Sequence, residues 1–106
     1  MLSGKFTKDT EFAATDHRNF NRNGEAFNVG ETFAGIPFET GVDLVDQLKG
    51  SLPNGLSFAD MANRWILDHP AVSTIIPGAS SSEQITRNAR ASSLEALSLE
   101  YHAELA

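Results

Sequence analysis

Only one stretch of this sequence reads as a β-strand, and one strand cannot hydrogen-bond itself. Val72, Ser73, Thr74, Ile75 and Ile76 form a short, largely β-branched run, ended by Pro77 and Gly78, with no polar alternation at its end. That is the pattern of a strand buried on both faces in a parallel sheet, and its backbone N–H and C=O groups need neighbours. The flanking segments read as helices, so the order is helix, helix, strand, helix, helix. Something must supply the neighbouring strands.

The helices are legible from period and caps. Val42, Val45 and Leu48, with Leu44 beside them, recur at helical spacing ahead of Gly50, which predicts a helix over about 38–49 with a left-handed glycine cap. Ser57 and Asp60 have capping-box spacing, and Phe58, Met61, Ala62, Trp65 and Ile66 line one face before Pro70 stops continuation, so a second helix is expected over about 57–68. After the strand, Ser80 and Glu83 repeat the capping-box spacing, with Ile85, Ala89 and Ala91 as the stripe to be buried. Ser98 caps a last helix carrying Leu99, Tyr101, His102 and Leu105.

Residues 1–37 differ in kind. They hold five of the seven phenylalanines, Phe6, Phe12, Phe20, Phe27 and Phe33, irregularly spaced among Asn, Asp, Gly and Thr. No helical or strand period survives. Disordered chains are usually poor in aromatics, so the rings read better as anchors pinning a long loop onto a larger body than as part of a disordered tail.

Composition excludes several function classes. Fourteen acidic against eight basic side chains give a net charge of −6, which leaves no broad electropositive face for a nucleic-acid backbone. With no cysteine there are no disulfides, thiolate metal sites or cysteine nucleophiles. No apolar run approaches a membrane span, and the first ten residues lack a secretory-signal pattern. The expectation is a soluble, cytoplasmic chain of 106 residues forming one domain, with no nucleic-acid or membrane partner.

The one element whose physics points at chemistry is the turn after the strand. A helix N-terminus offers unpaired N–H groups and the positive end of the dipole, and Gly78 lets a ligand approach the main chain. Phosphate is the natural guest. Ser80, Ser81 and Ser82 add hydroxyl donors, and Gln84 and Asn88, one turn apart, could reach the polar edge of a heterocycle. Serine-rich helix starts are also common as plain caps, and the residues alone leave both readings open.

The run from Arg64 through Trp65, Asp68, His69 and Pro70 to Ile75-Ile76-Pro77-Gly78-Ala79-Ser80, continuing to Gln84 and Asn88, closely resembles the C-terminal signature of the aldo-keto reductases. Leu2-Ser3-Gly4-Lys5 resembles the family's L-x-G-K segment after the seventh barrel strand, and Leu97-Ser98-Leu99-Glu100 its closing helix start. The resemblance spans the chain but corresponds to only the last third of a family member. It implies an α/β fold: the C-terminal part of a (β/α)8 TIM barrel, mostly helical with about one regular barrel strand, in which 1–37 is the long loop after strand seven and 38–106 holds helices, strand eight and the C-terminal helix.

By the same resemblance, NADP(H) lies across the C-terminal face of the barrel. Leu2, Gly4 and Lys5 match the stretch along the pyrophosphate. Gly78, Ala79 and Ser80 match the turn that holds the 2′-phosphate, and Gln84 and Asn88 match the positions that contact the phosphate and the adenine. Arg87 stands where a glutamate is often found, and Gly78 to Ser82 lacks the lysine or arginine that many members place there, so NAD(H) stays open as the cofactor. The family transfers hydride between nicotinamide and carbonyl with a tyrosine acid supported by Lys, Asp and usually His from the first half of the barrel. Tyr101 and Lys5 do not match those positions, and no catalytic residue carries over.

The remaining polar residues have plainer readings. His17 and His69 lack a third ligand for a metal, Asp68 and His69 finish a helix, Trp65 is core, and Asp43 and Asp46 lie on a solvated face. The resemblance therefore predicts part of an NADP(H)-dependent oxidoreductase acting on carbonyls, inactive as this chain alone. The alternatives are a stand-alone non-catalytic nucleotide-binding module or a nonfunctional remnant. Met1 reads as an internal position, and partners beyond the nicotinamide cofactor would be the missing barrel portion or further copies of the chain.

Overall fold

A computed structural model describes residues 2–22, 25–26 and 35–106. Met1, Phe27 and Phe33 lie outside the described residues, and with them the reading of Met1 as internal and of those two rings as anchors. The chain divides into two compact units, Met1–Ser51 and Leu52–Ala106. No helix among the described residues is long and apolar enough to cross a membrane.

In the first unit, Asp16 caps a one-turn helix α1, His17–Phe20, by accepting from the Arg18 N–H. The sequence pattern did not predict this helix. Helix α2, Phe38–Leu48, buries Phe38, Gly41, Val42 and Val45 on one face. Phe6 and Phe12 pack against the buried Phe38 and Val42, with Phe12 edge-on to both other rings. These two rings pack the N-terminal segment onto α2 of the same unit, whereas Phe20 is exposed. The guanidinium of Arg22 sits 4.1 Å from the Phe38 ring centroid, and that of Arg18 4.9 Å from Phe12. Asp43 and Asp46 do lie on a solvated face, each paired with a lysine, Lys8 and Lys49. Gly50 is not in the left-handed region, so the expected glycine cap of α2 is absent. The helix ends instead at Lys49, whose N–H reaches Asp46 O.

In the second unit, α3 runs Phe58–Leu67, α4 Ser82–Arg90, a 3₁₀ turn Ala91–Ser93 and α5 Leu99–Leu105. The Ser57–Asp60 capping box forms with both bonds, and Ser98 caps α5 through the Tyr101 N–H. Helix α4 and the 3₁₀ turn pack on α3 around Met61 and Ala91, both buried. Two polar clamps hold the packing. Arg90 at the end of α4 meets Asp60 at 2.8 Å, and Arg64 Nη1 donates to the carbonyls of Ala91 and Leu94 at 3.2 and 3.4 Å.

The expected strand is not formed. Residues 72–76 carry no regular secondary structure, and no strand occurs among the described residues, which are helical and irregular. The reason is the one the sequence raised: a ladder needs a second strand, and none is there to accept the bonds. Ile76 consequently stands 95% exposed. The same absence explains a second correction: Ile85 and Ala89, expected to be the buried stripe of α4, are exposed, and only Ala91 is buried.

Candidate functional site

Five of the eight residues matched to the cofactor site meet at the start of α4. The cap is Ser81 rather than Ser80: its backbone is extended and its hydroxyl accepts the Gln84 N–H at 3.2 Å. With three serines in a row, spacing alone could not choose the cap. Ser80 instead turns its N–H and its hydroxyl onto Gln84 Oε1, at 2.7 and 3.1 Å. Because a backbone N–H can only donate, the oxygen of that amide must face Ser80, which leaves the Gln84 NH2 group turned away. Asn88 Nδ2, one turn further along, donates to Gly78 O at 3.4 Å.

These bonds fold the Gly78–Ser80 turn back over the first turn of α4. Gly78, Ala79 and Ser80 are exposed, and a Cβ added at Gly78 would meet open space, while the Ser80 donors are already taken by Gln84 Oε1. The backbone dipole favours an anion there. Glu83 in the same turn opposes it, with Arg87 3.8 Å away as its partial counter-charge. Beside the turn, residues 73–77 and α4 enclose an apolar groove of about 430 Å³ lined by Ile75, Ile76, Pro77, Ile85 and Asn88. The arrangement offers donors for an anionic group next to an apolar shelf.

Leu2, Gly4 and Lys5 belong to the first unit. All three are exposed, Gly4 adopts a φ of +67° that only glycine takes without strain, and the Lys5 N–H reaches Ser3 Oγ at 3.5 Å.

What sequence reasoning missed is a polar hub at the end of α3. Asp68, read only as a helix terminus, accepts from Arg64 Nε at 2.8 Å and from the Leu97 N–H at 2.9 Å, and faces His102 Nε2 at 2.9 Å. Burial alone would push its pKa up. The bonds from His102, Leu97 and Arg64 outweigh burial and hold the carboxyl below its ordinary value. Asp60 behaves likewise: burial is outweighed by the Ser57 hydroxyl and N–H and by the Arg90 guanidinium. The i,i+4 spacing of Arg64 and Asp68 was a local signal for that one pair, but Leu97 and His102 lie about thirty residues further on, and no local pattern connects them to it. Among the described residues no cluster of three potential ligands could hold a metal.

No curated protein matches the chain. No solved structure matches it either. The family model described as the aldo/keto reductase family matches residues 1–106, the whole length. A match over every residue identifies this chain as a member of the aldo/keto reductase family.

Proposed function

We propose that this chain forms part of an NADP(H)-dependent oxidoreductase, contributing cofactor-binding residues and no catalytic ones. The observation that carries the reading is the junction of Gly78, Ala79, Ser80, Gln84 and Asn88 at the exposed start of α4. Bound there, the cofactor would supply the hydride exchanged with an aldehyde, ketone or alcohol. The chain's residues bind and orient: the amides around Ser80 to Ser82 and the serine hydroxyls take the 2′-phosphate, and Asn88 and the shelf of Ile75, Ile76 and Ile85 take the adenosine. Gly4 and Lys5, with Leu2, line the pyrophosphate. NAD(H) would forgo the phosphate contacts and bind more weakly. Tyr101 supplies no acid in this reading. It is buried in α5, and its hydroxyl has no hydrogen-bond partner among the described residues.

In this proposal residues 72–76 become the eighth strand of a (β/α)8 barrel once neighbouring strands flank them, and the cytoplasm is the compartment. The exposure of Ile76 and Ile85 supports the need for a covering partner, either the remaining barrel or another copy of the chain. The test is a titration of the chain with NADPH and NADH, followed by Trp65 emission. Saturable NADPH binding, tighter than NADH and weakened about tenfold or less by Ser80→Ala, is expected. NADH binding as tight as NADPH, unaffected by that substitution, would remove the 2′-phosphate role.

A further inference from the structure

The segment 72–76 leaves most of its backbone unanswered. The Val72 N–H turns back onto the His69 carbonyl at 2.9 Å, but among the described residues the N–H groups of Ser73, Thr74, Ile75 and Ile76 meet no backbone acceptor. Its side chains are open as well: Ser73 and Thr74 are exposed, and Ile76 is 95% exposed. Largely β-branched residues with free backbone groups are a template for another extended chain.

Charge limits which extended chain fits. The interval 70–82 holds no charged side chain and no histidine, and no other stretch of the chain is uncharged for as long. In a molecule of net charge −6, this is where two copies meet with the least like-charge opposition. The segment is also its own complement. Run antiparallel about Thr74, two copies set Val72 against Ile76, Ser73 against Ile75 and Thr74 against Thr74. One face of such a pair is then β-branched throughout, with a Thr–Thr contact at its centre.

We propose that residues 72–76 of two copies of this chain pair as an antiparallel ladder about a two-fold axis at Thr74. Successive residues of a strand turn their backbone groups to opposite edges, and the Val72 N–H is already engaged, so the edge left whole is that of Ser73 and Ile75. There Ser73 of each copy exchanges both backbone bonds with Ile75 of the other, and the Thr74 side chains meet in the closer, non-hydrogen-bonded position. The next residue on that edge in the C-terminal direction is Pro77, which has no N–H to give, so the ladder ends. The opposite edge lacks the donors of Pro70 and Val72, which works against a third copy and leaves a closed pair rather than a growing fibre. This inference does not rest on the cofactor reading. It names a second copy as what covers Ile76 when no other strand is supplied.

The test is sedimentation of the full chain from about 10 µM to about 1 mM, the range of weak pairing that a short two-stranded ladder gives, with amide hydrogen exchange at both ends of it. A dimer is expected at the upper end, with protection of the Ser73 and Ile75 amides rising about tenfold while those of Thr74 and Ile76 stay unprotected. Thr74→Lys and Thr74→Glu, at an exposed position, should each be monomeric, because each sets like charges face to face across the axis. Mixed in equal amounts, the two variants should pair with each other. A parent chain that stays monomeric, protection that does not alternate along 73–76, a Thr74→Lys chain that dimerises as well as the parent, or a mixture that stays monomeric would each overturn the proposal. Should either variant fail to fold, the alternating protection in the parent chain decides.

Discussion

At the scale of single residues, the serine caps were the most readable part of this chain, because a cap is a local bargain between one hydroxyl and one N–H a few residues on. Ser57 and Ser98 sit where their spacing put them. Ser57→Ala should cost about 1 kcal/mol, read as a lower urea midpoint at unchanged slope. Ser81→Ala should lower the helicity of α4 more than Ser80→Ala does, since Ser81 is the cap; circular dichroism of the two variants checks the order.

The aspartates set the acid limit of the second unit. The folded-state pKa values of Asp60 and Asp68 lie below their ordinary value of 3.8, so the stabilisation each gives is complete above that value and is lost as pH falls through the folded one. Urea unfolding followed by Trp65 should therefore show stability falling below about pH 4. Asp68→Asn should lose roughly 2–4 kcal/mol at pH 7 and flatten that acid dependence. If Asp68→Asn unfolds like the parent chain at both pH values, the hub is not a stabilising element. Asp68 itself was visible in the sequence only as a helix end. Its role depends on Leu97 and His102, which no periodicity connects to it.

At the scale of elements, α2, α3 and α5 form where their spacing put them, and the serine caps of α3 and α5 hold, but the strand does not form, and the difference is physical. A helix satisfies its own backbone, whereas residues 72–76 need a ladder partner and have none among the described residues. The stripe of α4 failed for the same reason: Ile85 and Ala89 were spaced to pack against something, and spacing does not say whether it is present. Phe6 and Phe12 could be recognised as anchors by composition, but their partner Phe38 could not. Phe38→Ala, which removes the buried ring that both pack against, should cost about 3–5 kcal/mol and weaken the aromatic cluster's near-ultraviolet signal in the first unit. Ile76→Lys, at a 95% exposed site, should leave thermal stability within about 0.5 kcal/mol.

At the scale of the whole molecule, the members of the candidate site could be listed from the sequence before their geometry was known. The glycine turn, three serines and the pair Gln84 and Asn88 fitted either a plain cap or an anion beside a heterocycle, and the structure brings these residues together at the start of α4. The detail that Gln84 turns its carbonyl oxygen onto Ser80 could not be read from spacing. It has a consequence for binding: an anion must compete with that oxygen for the Ser80 donors. The exposed Ile76, Ile85 and Leu99 also predict that the chain associates with itself at tens of micromolar or higher. A sedimentation profile that stays monomeric, together with one sharp unfolding transition, would contradict this.

The most direct test of the central claim uses adenosine 2′,5′-bisphosphate, the phosphate-bearing half of the cofactor, titrated into the isotopically labelled chain while the backbone amides are followed. The account predicts saturable shifts concentrated at residues 78–84 and at the Asn88 side chain, much reduced for adenosine 5′-monophosphate, which lacks the 2′-phosphate. No shift at millimolar ligand, or shifts that avoid the start of α4, would contradict it.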